Sequence, residues 1–348
     1  MTYFLDNVER TAGYEPGFQP GGTDVIKLNT NENPYPPSPK VLEAIRDLPA
    51  ERLRKYPQPL GDSFRTAAGE ALRVPSDWIL CTNGGDELLS ICIRAFCDIH
   101  HPVAYPNPTY SLYPVLARLQ NCPALELSFD DPKLFDQLAE AGGALTIVCN
   151  PNAPTGRLIK ADQLGALSRR LKGVLLIDEA YVDFAEGSCL PLVKDCGNVI
   201  LLRSMSKGYS LAGIRFGFGI AQPQMIEGLL KVKDSYNVDA MAIEAATAAI
   251  RDRDYHRVCV TKVKAERTRL TAELRKLGLE VADSESNFVL ARSLKVPAKD
   301  IYRSLADRNI FVRYFALPGL EDKMRISIGT PEQDNRLLES LRAILTAK

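Results

Sequence analysis

The sequence predicts an α/β fold: a large domain on a mainly parallel central sheet flanked by helices, then a smaller α+β C-terminal domain. Three observations carry this. Short, mostly apolar runs such as Leu145-Thr146-Ile147-Val148-Cys149 and Val174-Leu175-Leu176-Ile177 fit strands buried on both faces. Helical segments at 87–97, 111–119 and 161–171 alternate with such runs from about residue 28 to 235, as parallel strands with helical crossovers require. Beyond that the texture changes to charged helical periodicity and then short strands. At 348 residues and 45% hydrophobic content, the chain can bury enough core for two domains.

Taken in order, residues 1–27 contain Gly13, Pro16, Gly17, Pro20, Gly21 and Gly22 and read as an extended arm. The large domain is expected over 28–235 and the small one over 236–348. Trp78-Ile79-Leu80-Cys81-Thr82 reads as a strand, Asn83-Gly84-Gly85 as a turn, and Asp86-Glu87-Leu88-Leu89 as a helix opening whose free N–H groups suit an anion. After the strand at 145–149 comes Asn150-Pro151-Asn152-Ala153-Pro154-Thr155-Gly156, a loop stiffened by prolines, in which Asn152 offers an amide. The strand at 174–177 runs into Asp178-Glu179-Ala180-Tyr181. Residues 213–220 read as a strand with glycines at a close approach to ligand. Residues 241–275 read as a helix bridging two lobes, with Lys262, Lys264, Glu266, Arg267 and Arg269 on a solvated face. Ser286-Asn287-Phe288-Val289-Leu290, Ile310-Phe311-Val312-Arg313-Tyr314 and Met324-Arg325-Ile326-Ser327-Ile328 supply the small-domain strands.

The chemistry is densest around Lys207. In Ser204-Met205-Ser206-Lys207, followed by Arg215, an amine stands beside two hydroxyls and a guanidinium. That grouping suits a phosphorylated aldehyde: the amine can condense with the aldehyde carbon while Ser204, Ser206 and Arg215 donate hydrogen bonds to the phosphate. Pyridoxal 5'-phosphate is the cofactor this suggests. Asp178 ends a buried strand, where open α/β sheets bind ligands, and its carboxylate needs a cationic partner such as a protonated pyridine nitrogen. Tyr181 and Asn152 can meet the ring oxygen. The alternatives are that Asp178 caps the next helix and that Tyr181 is core. Arg325, on a short alternating strand, is costly to bury without an anion and is expected to meet substrate.

In this order and at these separations, Asn150 to Gly156, Asp178-x-x-Tyr181, Ser204-x-Ser206-Lys207 and Arg215 resemble the fold-type I pyridoxal-phosphate aminotransferases. Within that superfamily the chain is most similar to the histidinol-phosphate aminotransferase family. The closer likeness rests on Lys27-Leu28-Asn29-Thr30-Asn31-Glu32-Asn33-Pro34-Tyr35, Arg54-Lys55-Tyr56-Pro57, Asn83-Gly84-Gly85-Asp86-Glu87 and Pro108-Thr109-Tyr110-Ser111-Leu112-Tyr113. The resemblance implies that Tyr110 stacks on the cofactor ring, that Gly85 and Asp86 give backbone N–H groups to its phosphate, and that Tyr56 reaches the phosphate of a neighbouring subunit's cofactor. A homodimer with shared active sites follows, its N-terminal arm crossing onto the partner. Arg325 is implied to bind the carboxylate of glutamate or 2-oxoglutarate and, in the other half-reaction, the phosphate of histidinol phosphate, with Arg313 and Tyr14 as helpers. Ala153 stands where an asparagine is usual and Gly208 follows the lysine; neither change removes a proposed donor. Aromatic amino-acid aminotransferases and threonine-phosphate decarboxylases are the rival readings.

Composition narrows the setting. Lys plus Arg equals Asp plus Glu at 43 each, so no charge excess points to nucleic acid or a membrane surface. Residues 1–10 lack the apolar core of a signal peptide, and no apolar run approaches the ~20 residues of a membrane span, so a cytoplasmic protein is expected. The eight cysteines form no C-x-x-C pair and read as reduced and buried. His100, His101 and His256 show no metal-ligand spacing, and no metal is expected.

Overall fold

Seven strands form the central sheet of the computed structural model, which describes residues 3–22 and 24–346. Across the sheet the order is β2 (Ile79–Thr82), β8 (Gly217–Ile220), β7 (Val199–Ser204), β6 (Val174–Asp178), β5 (Leu145–Cys149), β3 (Val103–Asn107) and β4 (Ala124–Ser128). All are parallel except β8, which runs against both neighbours. The reversal has a local cause: β7 and β8 are joined by the loop that carries Lys207, with no helical crossover to bring the chain back parallel. β5 and β6 are buried almost throughout, because helices cover both faces.

Several boundaries differ from the sequence expectation. The helix after β2 begins at Gly84, not Asp86, so Gly84-Gly85 belongs to its first turn. The strand expected over 213–220 is shorter, since Ala212–Ile214 is a 3-10 turn and Arg215 takes a left-handed φ of 58°. The segment read as one bridging helix is two, Ala240–Arg251 and Arg253–Lys276, broken at Asp252. Asp252 accepts hydrogen bonds from Ser38 Oγ at 2.5 Å and Lys40 Nζ at 3.2 Å. The first, alanine-rich helix packs on the helices Asp62–Leu72 and Pro39–Arg46. Its Ala242, Ala245, Ala246 and Ile250 join the core of the large sheet, so packing with that lobe continues past residue 235 to Asp252. The second helix sends Val263, Leu270 and Leu274 into the core of the small lobe. Its charged face is only partly solvated: Arg267 is buried and donates to the carbonyls of Phe184 and Ser286 at 3.1 and 2.9 Å. Glu266 is buried too, paired with Arg269.

The small lobe carries an antiparallel sheet in the order β12 (Arg313–Tyr314), β13 (Lys323–Ser327), β10 (Phe288–Arg292), β9 (Glu280–Val281). A separate parallel pair joins β1 (Ile26–Lys27) to β11 (Ile310–Phe311). The expected strand at 310–314 is therefore divided at Val312 between two sheets. Ile26 and Leu28 pack with Ile310, Val312 and Ile326. The described part of the arm touches its own chain: Asn7 Nδ2 donates to the Leu119 carbonyl at 2.8 Å, and Asn29 Nδ2 to that of Phe18 at 2.7 Å. All eight cysteines are free and buried. No helix among the described residues is long and apolar enough to cross a membrane.

Candidate active site

Four parallel strands end at one place. Asn107, Cys149, Asp178 and Ser204, the last residues of β3, β5, β6 and β7, all line a cavity of about 600 Å³. This is the carboxyl-end position at which open α/β sheets hold ligands. The opposite wall comes from the small lobe through Arg313, Phe315 and Arg325, and the residues 29–32 pass between the two. That passage is tied to both sides. Asn31 N donates to Ser327 Oγ at 2.9 Å, and Asn33 Nδ2 to the Lys207 carbonyl at 3.1 Å.

Lys207 donates from Nζ to the Thr30 carbonyl at 3.0 Å. Burial pushes its ammonium down to about 8; Glu32 opposes the shift, while Arg325 and Arg215 add to it. Asp178 lies across the cavity floor. Its Oδ2 accepts from Tyr113 Oη at 2.8 Å and its Oδ1 from the Ala180 N–H at 3.0 Å. Burial pushes this carboxyl up to about 6 against those two donors, with Asp86 and Glu179 adding to the rise. A carboxylate so placed gains from a cation set against it. Tyr181 follows at the same wall, its hydroxyl accepting from Asn31 Nδ2 at 3.0 Å, and burial holds its phenol protonated.

Beside Lys207 the wall is an anion cradle. Ser204 Oγ accepts from the Ser206 N–H at 3.2 Å, and Arg215 Nη1 lies 3.4 Å from Ser206 Oγ. The left-handed backbone at Arg215 turns its guanidinium onto the Gly84–Phe96 helix. Gly85 and Asp86 stand in that helix's first turn, where N–H groups lack intrahelical acceptors. The Arg215–Asp86 contact is long, at 3.5 Å, and both side chains are about half exposed, so it holds little of the arginine's capacity. Close packing fixes the cradle: a Cβ on Gly84 would come within 2.7 Å of Arg215 Nη2, and one on Gly85 within 2.9 Å of Leu202. Gly217 owes its missing side chain to the Gly84 turn, 2.6 Å from where its Cβ would stand.

Tyr110 lines the cavity, donates to Asp86 Oδ1 at 3.2 Å and meets the ring of Tyr14 edge-on at 5.9 Å. Tyr14 also lines the cavity. On the small-lobe wall Arg325 Nη2 donates to the Asn29 carbonyl at 2.9 Å, while its Nε is buried without a partner among the described residues. Phe315, which the sequence reading missed, lies 5.5 Å from both the Arg313 and Arg325 guanidinium carbons.

Two expected residues are not brought to this cavity. Asn152 is buried, but its Nδ2 donates to the Pro108 carbonyl at 3.1 Å and its Oδ1 accepts from Thr155 N and Oγ1. With its amide spent on bracing one loop against another, the neighbouring Ala153 faces the cavity instead. Among the described residues this loop thus presents Ala153 and Pro154, and no side-chain amide, to the cavity. Tyr56 is 80% exposed, stacked on Tyr236 at 4.5 Å, and does not line its own chain's cavity. Asn31, Glu32 and Thr109 line the wall and were not singled out as site residues, since nothing in their spacing marks a chemical role. The Thr109 hydroxyl is buried without a partner among the described residues.

An amine with a lowered pKa, a buried carboxylate, a phenol and a hydroxyl–guanidinium–helix cradle fit the aldehyde, ring nitrogen, ring oxygen and phosphate of pyridoxal phosphate. Comparison with known proteins agrees. The aminotransferase class I and II family matches residues 23–341. Histidinol-phosphate aminotransferase 1 of a Nostoc species is 51% identical over 349 residues, covering 99% of each chain. The histidinol-phosphate aminotransferase of Citrifermentans bemidjiense is 44% identical over 352 residues, again at 99% of each. Among solved structures, that of histidinol-phosphate aminotransferase from Sinorhizobium meliloti with pyridoxal-5'-phosphate superposes with a TM-score of 0.90 at 24% identity, over 100% of this chain and 98% of that one. L-threonine-O-3-phosphate decarboxylase from Porphyromonas gingivalis superposes at 0.82 with 22% identity, covering 92% and 100%, so the fold alone does not choose the reaction. The cavity chemistry and the full-length sequence match together establish that this chain belongs to the pyridoxal-phosphate-dependent class I and II aminotransferases.

Proposed function

We propose that the protein is a histidinol-phosphate aminotransferase of histidine biosynthesis, moving an amino group reversibly between L-histidinol phosphate and 2-oxoglutarate, with imidazole acetol phosphate and glutamate as the products. The observation that carries the reading is the pair Arg313 and Arg325 on the wall facing the cofactor cradle, an anion site that accepts a phosphate from one substrate and a carboxylate from the other. Full-length relatives of that name support it.

The bound cofactor supplies an electron sink for the substrate's α-carbon. Everything else falls to the chain. Lys207 would hold the cofactor through its amine and, when free, would act as the general base that takes the substrate's α-proton and gives a proton back to complete the amino transfer. Asp178 would hold a proton on the ring nitrogen, and Tyr181, hydrogen-bonded by Asn31, would meet the ring oxygen. Ser204, Ser206, Arg215 and the N–H groups of Gly85 and Asp86 would hold the phosphate, so that the cofactor stays seated when Lys207 is free. Tyr110 covers the ring, and Tyr14 helps the two arginines at the substrate anion. The reading extends to a cytoplasmic homodimer in which Tyr56, exposed on its own subunit, reaches the partner's cofactor phosphate; its 80% exposure and the unpaired cysteines support this.

The test is the visible spectrum of cofactor-loaded protein titrated with L-histidinol phosphate, L-phenylalanine and L-threonine phosphate in parallel. Bleaching by histidinol phosphate at far lower concentration, without carbon dioxide release, is the expected result. Equal conversion by phenylalanine would make it a broad aromatic aminotransferase, and carbon dioxide from threonine phosphate would make it a decarboxylase.

A further inference from the structure

We propose that Tyr113 is a positioning residue for the reaction: by donating its hydroxyl to Asp178 Oδ2, it keeps that carboxylate ionised and turned toward the cofactor's ring nitrogen. The inference rests on the reading of Asp178 as the partner of that nitrogen.

Tyr113 does not line the cavity, so it acts only through its neighbour. It is completely buried, and its ring is clamped edge-on by Tyr110 at 5.8 Å and by Tyr105 at 5.9 Å. A phenol held on two sides cannot swing its oxygen away, so the 2.8 Å bond to Asp178 is imposed by packing. Each carboxylate oxygen of Asp178 has one donor from the protein, Tyr113 Oη on Oδ2 and the Ala180 N–H on Oδ1. Asp178 itself lines the cavity, so the carboxylate is held by these two donors at the edge of the ligand space.

Burial raises the proton affinity of Asp178, and so do Asp86 from the helix after β2 and Glu179 from its own strand end. The Cys149 thiol, beside it on β5, is kept protonated by burial and by Asp178 itself. Of the two groups that oppose protonation, Tyr113 is the larger. Without it, the proton shared between carboxylate and ring nitrogen moves toward the carboxylate, and the ring becomes a poorer acceptor of electrons.

The experiment reads the ring nitrogen directly. Protein loaded with pyridoxal phosphate carrying ¹⁵N in the ring is observed by NMR at neutral pH, as wild type, Tyr113→Phe and Asp178→Asn, with the unfolding midpoint of each measured alongside. The expected result is a ¹⁵N resonance at the protonated position in wild type, moved toward the unprotonated position in both variants. Tyr113→Phe should also lose about tenfold in kcat with KM nearly unchanged, the split expected for a group felt in the chemical step. Replacing Tyr113 with 4-aminophenylalanine, which keeps the ring and a weaker donor, should give an intermediate resonance and decides the matter if the Phe variant does not fold. An unmoved resonance in Asp178→Asn would overturn the reading of Asp178 and this inference with it. A resonance that moves in Asp178→Asn but not in the Tyr113 variants would overturn this inference alone.

Discussion

Arg313 and Arg325 stand directly opposite each other across the antiparallel pair β12–β13. Like charges in that relation repel, and neither has a carboxylate partner in an ion pair among the described residues. Burial lowers the proton affinity of Arg325, and Arg313 adds to the effect. An anion bound between them would relieve the repulsion, as the proposed substrate site requires.

Arg325→Gln should therefore raise KM for both the phosphorylated donor and the dicarboxylate acceptor by roughly 10- to 100-fold, the loss of one charge-assisted contact at about 1.5–3 kcal/mol. Arg313→Gln should do less, because it is Arg325 whose Nε is buried without a partner among the described residues. Steady-state kinetics with each substrate varied in turn checks this, and unchanged KM values for Arg325→Gln would move the anion site elsewhere.

With its amine pushed down to about 8, Lys207 has about a tenth of its population neutral at pH 7, far more than an ordinary lysine. Lys207→Ala should still bind the cofactor through the phosphate cradle but lose turnover by about 10²- to 10⁴-fold. Equilibrium dialysis and single-turnover rates separate the two effects. Near-normal turnover would sink the assignment.

Asp178 gives a pH signature in the cofactor-free protein. Its folded-state pKa of about 6 lies above the ~3.9 of an unfolded aspartate, so between those values the folded state keeps a proton that the unfolded chain has released. Stability should fall as pH rises from about 4 to about 6 and then level off as far as this group is concerned. Asp178→Asn should remove that slope, and most of the loaded enzyme's rate, without losing the fold. Denaturant titrations across the pH range test the first point; a wild-type slope in the variant would place the titration on another residue.

Gly84 holds a φ of +76° in a space already taken by Arg215. Gly84→Ala should displace that guanidinium and add about 1 kcal/mol or more of backbone strain. Cofactor affinity should drop by about tenfold while the fold persists. A cofactor titration with an unchanged dissociation constant would show that Arg215 tolerates the methyl group.

The local sequence determined what depends on local chemistry. Runs such as 145–149 and 174–177 announce strands because burial on both faces leaves a continuous apolar stretch, and Lys207, Asp178 and Arg215 stood out because few residue types can hold an aldehyde, a pyridinium and a phosphate. Tertiary structure decided everything that turns on competition between partners distant in sequence. Asn152 faces away because the Pro108 carbonyl and Thr155 occupy its amide, Arg267 is buried because the carbonyls of Phe184 and Ser286 receive it, and the 241–275 helix breaks where Asp252 meets Ser38 and Lys40. The Tyr113–Asp178 and Asn31–Tyr181 bonds are of the same kind. A polar side chain takes whichever partner the folded backbone brings within about 3 Å, and no periodicity along the chain encodes that choice.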